Sequence, residues 1–327
     1  MLGNPRFTIY DVMVKKISIV SPIFNEEQSL EECYRTIKSL FDGPHGPLSG
    51  YQREHIFCDN GSKDKTPEML RLLAAQDQDV KVIFNSRNFG ILRNTYNGVM
   101  ASTGDGVVLF MPVDLQDPPE LIADFVKLWE SGYEVVFGIR AHRQEGFLMK
   151  SLRKIYYRII SRFSYVEYPA DVGDFQFVDR KVIEAMKKFE DVNPFMRMLT
   201  FECGFKSVGI PYTWRRRKHG FSRNQISQLI DQGLLGLISF SSVPLRLALY
   251  SGFGVAVLSF LYALYVIGVK VFFPEIADRG VPTIIIAVFF FGGMNLLFLG
   301  LVGEYILAIF NQVRKRPLVI ERERINF

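Results

Sequence analysis

Two long uncharged stretches, residues 247–269 and 281–303, constrain the fold of this chain more than any other feature. A helix of about 20 residues, rising about 1.5 Å per residue, crosses the hydrocarbon core of a bilayer. Both stretches are rich in Leu, Val, Ile and Phe and contain glycines, as membrane helices do. The sequence therefore predicts two C-terminal transmembrane helices that hold a soluble N-terminal part against a lipid surface.

Basic residues predict how these helices are oriented. Arg314, Lys315 and Arg316 follow the second stretch closely, and the positive-inside rule places such a segment in the cytoplasm. With two spans, the N-terminal part lies on the same side as the C-terminal tail. We therefore expect a multi-pass protein of the cytoplasmic (inner) membrane with both termini in the cytoplasm.

Composition narrows the classes of protein that fit. The chain has 327 residues and a net charge of +5, and its soluble part of about 225 residues is enough for one α/β domain. The basic residues cluster near the membrane stretches, which favours lipid headgroups over nucleic acid as their partner. Three widely spaced cysteines fit neither a disulfide framework nor a zinc site. The four histidines are scattered, and we expect each in a loop or at the surface.

The sequence divides into five predicted regions. Residues 223–244 mix apolar and polar positions at helical spacing, which is typical of a helix lying in the membrane interface. The sequence allows a homo-oligomer that assembles through the transmembrane helices or the tail, but it does not decide between oligomer and monomer. The regions are an N-terminal leader (1–15), a cytoplasmic catalytic domain (16–222), an interfacial amphipathic segment (223–244), two transmembrane helices (245–313) and a cytoplasmic tail (314–327).

Strands and helices alternate in the soluble part. This alternation predicts an α/β domain with a mostly parallel sheet, in which ligands bind at the carboxyl ends of the strands. Polar residues follow the first, second and fourth strands, so we expect these three loops to meet in one cleft. The predicted strands are residues 16–21, 55–58, 80–85, 106–111 and 134–138, and the predicted helices are residues 25–41, a segment from 66, 91–101 and 118–129.

Four ordered motifs resemble those of the inverting GT-A glycosyltransferases called family 2. They are VSPIFNEE (residues 20–27), DNGSKDKT (59–66), DLQDPPE (114–120) and RKHGFSR (217–223). Together with two C-terminal spans, they resemble the polyprenyl-phosphate glycosyltransferases of the bactoprenol glucosyltransferase and dolichol-phosphate mannose synthase type. The resemblance covers roughly residues 16 to 316 and implies a GT-A (Rossmann-like) fold.

The resemblance implies that the first two motifs bind the nucleotide of a sugar donor. Two alternatives need no ligand: Asn25 caps the following helix, and an Asx-turn forms around Asn60 and Gly61. The second motif also departs from the family, which commonly has another acidic residue at Asn60. The nucleotide-binding residues expected from the resemblance are Pro22, Phe24, Asn25, Glu27, Asp59 and Asn60.

The third motif predicts a metal site. Sugar transfer leaves negative charge on the departing diphosphate, which a divalent cation neutralises, and Mg2+ or Mn2+ prefer oxygen ligands. Asp114 and Gln116 match the family's metal-binding positions, although Pro112 stands where the first aspartate is expected. Asp114 is thus predicted to bind the metal and to act in catalysis. Asp117 precedes two prolines, and we interpret it as the cap of the next helix.

Cations and carboxylates further along the chain predict the acceptor side. By resemblance Arg140 and Arg217 bind phosphate, and Arg153 is a third candidate; arginine binds phosphate oxygens bidentately. A phosphate monoester has a second pKa of about 6, so it needs no strong base to act as a nucleophile. We assign the orientation or deprotonation of the acceptor to Asp171; a turn around Gly173 is the alternative explanation of that segment.

The resemblance thus implies an enzyme that transfers a hexose, with glucose expected, from a UDP-sugar to polyprenyl phosphate. Transfer with inversion at the cytoplasmic membrane face yields a lipid-linked monosaccharide. One alternative is a catalytically inactive membrane scaffold that holds lipid phosphate or a flippase partner. A processive polysaccharide synthase is a further alternative, but neither Trp129 nor Trp214 lies in the Gln-x-x-Arg-Trp motif of that class.

Overall fold

The computed structural model of the chain describes residues 14–142, 169, 172–191, 194–215, 243–272, 281–314 and 316–327. Three predicted site residues, Arg153, Asp171 and Arg217, lie outside these ranges. The predicted leader up to residue 13 and residues 223–242 of the interfacial segment also lie outside them.

An eight-stranded sheet forms the centre of the first of two compact units. Its strands are β1 (Lys16–Ile23), β2 (Gln52–Asp59), β3 (Val80–Asn85), β4 (Gly106–Val108), β5 (Val135–His142), β6 (Val172–Asp179), β7 (Ser207–Thr213) and β8 (Glu321–Ile325). The α-helices among the described residues of this unit are α1 (Leu30–Phe41), α2 (Thr66–Gln76), α3 (Ile91–Ala101), α4 (Leu121–Glu130), α5 (Arg180–Met186) and α6 (Met196–Glu202). The order across the sheet is β7-β5-β6-β4-β1-β2-β3-β8.

The middle of the sheet forms the core. In β1 the apolar residues on both faces are buried, including Ile17, Ile19 and Val20, as expected of a parallel strand covered on both sides. Helix α1 packs one apolar stripe against this core and exposes its opposite face, the pattern of an amphipathic helix. The buried residues of that stripe are Leu30, Cys33, Ile37, Leu40 and Phe41.

The sheet is mixed rather than mostly parallel. β1 pairs in parallel with β2 and β4, β2 with β3, and β5 with β7. β6 lies antiparallel between β4 and β5, and β8 lies antiparallel against β3. The predicted alternation of strands and helices is correct for β1 to β4. The turn around Gly173 is wrong, because Gly173 lies within β6, where the buried side chains of Phe175 and Phe177 belong to the core.

Several strands are longer than predicted. Pro22 does not end β1, because the carbonyl of the next residue, Ile23, accepts a hydrogen bond of 2.9 Å from the Asn60 N–H beside it. β2 begins three residues earlier than predicted, with Gln52, Arg53 and Glu54, which are polar and do not look like part of a buried strand. β5 continues to His142 because it pairs with β7 along this stretch. Arg140 therefore lies inside a strand rather than just beyond one.

The second unit contains two long helices, α7 (Val243–Phe272) and α8 (Val281–Val313), which cover both predicted membrane stretches. Within α8, Phe290–Val313 is long and apolar enough to cross a membrane. The apolar part found in α7, Ala248–Tyr262, is shorter. The described residues therefore contain one candidate span where the sequence predicts two.

After α8 the chain returns to the first unit and ends in strand β8. The strand covers the outer edge of β3, and the carbonyl of Ile320 just before it accepts a hydrogen bond of 2.9 Å from the Ser86 N–H. Side chains reinforce the pairing: Asn97 donates to Glu321 at 2.6 Å, and Arg71 pairs with Glu323 at 2.6 Å. The predicted tail is thus part of the same sheet as the N-terminal strands.

Candidate active site

The loops after β1 and β2 are joined by hydrogen bonds at the carboxyl ends of these strands. The Asn25 N–H donates to the Ser62 hydroxyl at 2.8 Å, and the Asn25 side-chain oxygen accepts from the Lys63 N–H at 2.7 Å. Glu27 accepts from the Lys65 N–H at 3.0 Å. Asn25 is in the left-handed region with φ 56°. Since α1 begins at Leu30 and Asn25 binds the neighbouring loop, the helix-cap explanation of Asn25 is wrong.

Asp59 ends β2 beneath these loops. Its side chain is only 2% exposed, and its carboxylate accepts hydrogen bonds of 3.2 and 3.3 Å from the Ser62 N–H. Burial raises the pKa of Asp59 above its ordinary value, and the Ser62 hydrogen bonds oppose that rise. Pro22 lies opposite Cys58 in the same ladder, and Phe24 is half-buried just beyond it. The predicted nucleotide residues thus lie at one end of two adjacent strands.

Asn60 fixes a third loop that the sequence did not point to, residues 86–90. Its amide donates to Asn88 at 3.0 Å, and its oxygen accepts from the Phe89 N–H at 2.9 Å. Asn85 also donates to Asn60 at 3.4 Å. A Cβ on Gly61, where φ is +78°, would lie 2.9 Å from the Arg87 carbonyl carbon. Asn85 and Asn88, at the end of β3 and just after it, are polar residues at a strand end and could have indicated this loop from the sequence.

The loop after β4 forms a tight turn that contains the predicted metal ligands. The Pro112 carbonyl accepts from the Leu115 N–H at 3.1 Å, and Leu115 has a positive φ of 53°. The Asp114 carboxylate accepts from the Gln116 N–H at 3.3 Å. The Gln116 carbonyl accepts a hydrogen bond of 2.9 Å from the Arg215 N–H, and the Gln116 side-chain amide donates to the Arg215 carbonyl at 3.4 Å. Pro112 thus begins the turn instead of supplying a carboxylate.

The predicted metal ligands, Asp114 and Gln116, supply only two of the oxygen ligands that a divalent metal needs. In the part of the chain that the structure describes, no three His, Cys, Asp or Glu side chains form a metal-binding group. Asp114 and Gln116 supply one carboxylate and one amide oxygen. Mg2+ commonly binds through one or two carboxylates and takes phosphate oxygens and water as its other ligands. The pair therefore fits Mg2+ or Mn2+ when a diphosphate is bound beside it.

Asp117 is the centre of a buried polar cluster, so its interpretation as a helix cap is wrong. Helix α4 begins at Leu121, and the side chain of Asp117 is 1% exposed. Its carboxylate accepts a hydrogen bond from the Tyr212 hydroxyl and pairs with Arg140 at 3.4 Å. Arg140 also donates from Nε to the Tyr212 hydroxyl oxygen at 3.1 Å and lies 5.2 Å from the ring centre of Trp214.

Register and charge explain this cluster. Arg140 and Tyr212 are partners in the parallel pairing of β5 with β7, so they lie side by side. Burial disfavours the charge on Arg140, but Asp117, Tyr212 and Asp174 together outweigh it and raise the pKa of the guanidinium. Burial raises the pKa of Asp117 above its ordinary value, and the charge of Arg140 and the hydrogen bond from Tyr212 oppose that rise. Period-two spacing of Val208, Ile210 and Tyr212 was the sequence signal for β7.

The acceptor residues assigned from sequence are less fully described. Of the predicted phosphate-binding residues only Arg140 is within the described residues; Arg153 and Arg217 are not, and neither is Asp171. Asp174 pairs with Arg197, whose Nε donates to it at 3.0 Å. The structure therefore brings the predicted nucleotide residues together, places the turn that contains Asp114 at the end of the adjacent strand β4, and adds the cluster around Asp117.

Comparison with known proteins identifies the family. The model of glycosyl transferase family 2 matches residues 18–186. The uncharacterized glycosyltransferase YkcC of Bacillus subtilis is 36% identical over 304 residues, covering 93% of this chain and 92% of the relative. The bactoprenol glucosyl transferase of Shigella phage SfX is 33% identical over 310 residues, covering 94% of this chain and 99% of the relative.

A solved structure is also similar. The mannosyltransferase PcManGT from Pyrobaculum calidifontis, in complex with GDP-Man and Mn2+, is 14% identical, covers 93% of this chain and 88% of that one, and has a TM-score of 0.47. Identity that low carries no information about the substrate. The sequence relatives, in contrast, match this chain over nearly its whole length. On their evidence and on the family match, the chain belongs to glycosyl transferase family 2 and is a transferase enzyme.

Proposed function

We propose that this glycosyltransferase transfers glucose from UDP-glucose to polyprenyl phosphate at the cytoplasmic face of a membrane. The observation that carries the proposal is the 33% identity to a bactoprenol glucosyl transferase over 94% of this chain and 99% of that one. Similarity along the full length includes the C-terminal helices, which a soluble sugar transferase does not need. The product is a lipid-linked monosaccharide.

The nucleotide binds at the joined loops after β1 and β2. Asp59 accepts hydrogen bonds from the base, since an ionised carboxylate is an acceptor only. Pro22, Phe24, Asn25 and Glu27 line the same end of the sheet. The side-chain amide of Asn60 already binds the 86–90 loop through both its nitrogen and its oxygen, so we assign it the role of shaping the nucleotide site.

Asp114 and Gln116 would hold a Mg2+ or Mn2+ ion beside the donor diphosphate. Such an ion neutralises charge on a leaving diphosphate. A phosphate oxygen of the acceptor attacks the anomeric carbon, the bond from that carbon to the diphosphate oxygen breaks, and the nucleoside diphosphate leaves with inversion. Because the second pKa of a phosphate monoester is about 6, the nucleophile is ionised at neutral pH. Asp171 orients it in this proposal.

The way in which the chain connects its two units supports membrane attachment through both helices. β7 precedes α7 and β8 follows α8, yet both strands belong to one sheet. A chain that leaves one side of a membrane and returns to it crosses an even number of times. We therefore infer that α7 crosses together with α8, whose apolar side chains, such as Leu296 (72% exposed), would face lipid. The homo-oligomer and the flippase partner stay predictions.

The test is transfer of labelled sugar to polyprenyl phosphate from a panel of UDP-glucose, UDP-galactose and GDP-mannose, with Mg2+, Mn2+ or a chelator. We expect transfer from UDP-glucose and loss of it on chelation. Asp114→Ala should lower the rate by about 100-fold or more, because a bound metal stabilises developing charge by several kcal/mol.

The matched control is Asp124→Ala, which removes an exposed carboxylate on α4 and should retain the wild-type rate. Well-folded protein that transfers sugar from none of the donors would contradict the proposal and favour a lipid-phosphate-binding scaffold.

A further inference from the structure

The tail strand β8 begins beside the loop of residues 86–90, which borders the predicted nucleotide site. β8 pairs with β3 up to Asn85, and this loop, the 86–90 loop, starts at the next residue. The Ser86 N–H donates to the Ile320 carbonyl at 2.9 Å, so the first residue of the loop is bonded to the residue just before β8. The inference that follows concerns what the tail does for this loop, and it rests on the proposed function.

The 86–90 loop packs against the turn that follows Asp59. A Cβ on Gly61 would lie 2.9 Å from the Arg87 carbonyl carbon and 3.2 Å from the Asn88 nitrogen, so the two backbones are in close contact. The Asp59 carboxylate accepts hydrogen bonds from the backbone of the same turn. A displacement of the loop therefore moves one wall of the site that we assign to the base of the donor.

Glu321, the first residue of β8, joins the tail to helix α3. Its carboxylate accepts a hydrogen bond of 2.6 Å from the side-chain amide of Asn97 on this helix. Asn85, which lies opposite Glu321 in the ladder, donates at 2.7 Å to the side chain of Asn94 on the same helix. Because α3 begins directly after the 86–90 loop, the tail is bonded to the chain on both sides of that loop.

An irregularity in the pairing gives Glu321 and Glu323 different partner helices. The register of β8 against β3 shifts between Phe84 and Asn85. Residues two apart on a regular strand point to the same face of a sheet, yet Glu321 contacts α3 whereas Glu323 pairs with Arg71 on α2 at 2.6 Å. A bulge bends the strand and re-aims its side chains. The shift thus directs Glu321 to the helix that follows the 86–90 loop.

We propose that β8 is a positioning strand for the nucleotide of the sugar donor, with Glu321 as its positioning residue. Glu321 and the Ile320 carbonyl hold helix α3 and the 86–90 loop against the turn after Asp59, and neither contacts substrate. Glu321 lies 224 residues after its partner Asn97. Donor affinity therefore depends on a segment that follows both long helices in the chain.

The direct test is isothermal titration of the full-length, detergent-solubilised protein with UDP and, in parallel, with GDP, both in the presence of Mg2+. Glu321→Ala should raise the apparent Kd for the bound nucleotide about fivefold, an effect of the size found for residues of one hydrogen-bond network. Glu321→Gln keeps an acceptor oxygen for Asn97, so its Kd should stay within about twofold of the wild-type value.

The matched control is Glu323→Ala, which removes the neighbouring carboxylate of β8 and its ion pair with Arg71 and should leave the nucleotide Kd unchanged. Asn97→Ala should raise the Kd as Glu321→Ala does. The double variant should bind no more weakly than either single variant, because both remove the same hydrogen bond. In sugar transfer, Glu321→Ala should raise KM for the donor and leave KM for the acceptor unchanged.

Wild-type affinity in folded Glu321→Ala and Asn97→Ala would overturn the proposal, as would an equal rise of the Kd in Glu323→Ala or a wild-type protein that binds neither nucleotide. If Glu321→Ala does not fold, Asn97→Ala decides, because it leaves β8 unchanged. Nucleotide binding that depends on Glu321, in a protein that transfers no sugar to polyprenyl phosphate, would support this role and reject the proposed transfer. Transfer with an unchanged donor KM in Glu321→Ala would do the reverse.

Discussion

Gly98 allows helix α3 to lie directly on the first two strands of the sheet. A Cβ at this position would overlap the Cys58 Sγ and lie 2.8 Å from the Val20 Cγ1. Overpacking at Gly98 displaces its neighbours and costs about 1–3 kcal/mol, whereas alanine favours the helix by about 1 kcal/mol over glycine. We therefore expect Gly98→Ala to lower the free energy of unfolding by up to about 2 kcal/mol.

The measurement for Gly98→Ala is the melting temperature of the detergent-solubilised protein. Gly50→Ala is the control, since a Cβ there would meet nothing within 4 Å. Equal melting temperatures for the two variants would show that α3 does not need this close approach.

Glu54 links three elements of the sheet by hydrogen bonds. Its carboxylate accepts from Lys81 at 2.7 Å, from the Thr103 N–H at 2.8 Å and from the Ser18 hydroxyl. Burial opposes the charge, but these partners outweigh it and lower the pKa of Glu54 from 4.5 to about 2. A carboxylate with a depressed pKa stabilises the fold fully above its unfolded-state pKa and loses that contribution as the pH falls towards the folded-state value.

We expect Glu54→Gln to cost roughly 3 kcal/mol of stability at pH 7. The difference from the wild type should narrow between about pH 4.5 and about pH 2, the interval set by the two pKa values. Urea titrations at pH 7, 4 and 2.5 measure it, with the exposed Glu68→Gln as control. A difference that stays constant with pH would mean that the Glu54 charge does not stabilise the sheet.

Single residues were predicted best where local chemistry decides their role. Asp117 was misinterpreted because two prolines after an aspartate indicate a helix start, whereas its partner Tyr212 is 95 residues away. His55 was expected at the surface but is fully buried, bonded to Ser21 at 2.9 Å and packed on Phe57 with ring centres 4.0 Å apart. A sequence without its fold does not show such distant partners.

Strand β8 protects the edge of the sheet. Edge strands with unpaired backbone groups promote association between chains, and β8 pairs with β3 from Val82 to Asn85. Deleting residues 317–327 should therefore lower the melting temperature by several degrees and cause concentration-dependent association. Sedimentation and thermal melting measure the two effects.

The control for this deletion is Arg322→Ala, which changes an exposed side chain of β8 and keeps the backbone pairing. If the truncated protein melts and sediments like the full chain, the strand does not protect the edge.

Elements were predicted best where periodicity and burial agree. The bounds of β3 and α3 are as predicted, because β3 is a short run of mostly buried residues followed by turn residues and α3 is amphipathic. β2 was predicted to begin too late because Arg53 and Glu54 are polar yet buried. Their partners come from other elements, including Asp77 for Arg53 and Lys81 for Glu54. β6 contains Asp174 and Gln176, which made it resemble a loop.

At the scale of the whole molecule, hydropathy predicted where the two long helices lie, and the motif order predicted the family. Neither hydropathy nor motif order predicted the antiparallel strands β6 and β8. β8 pairs with β3, which is distant in sequence, and β6 inserts between β5 and β4, so long-range pairing decides the place of each. The Asp114 turn was predicted as a loop after β4, but its positive φ at Leu115 and its bonds to Arg215 depend on the assembled fold.

The position of β8 after the helices imposes an order on biosynthesis. About 100 residues separate β7 from β8, and at about 5–20 residues per second they take roughly 5–20 s to translate. Throughout that interval the outer edge of β3 has no partner, so a nascent chain carries an unfinished sheet while its helices are being made. The sheet can therefore be completed only after the ribosome has translated both helices.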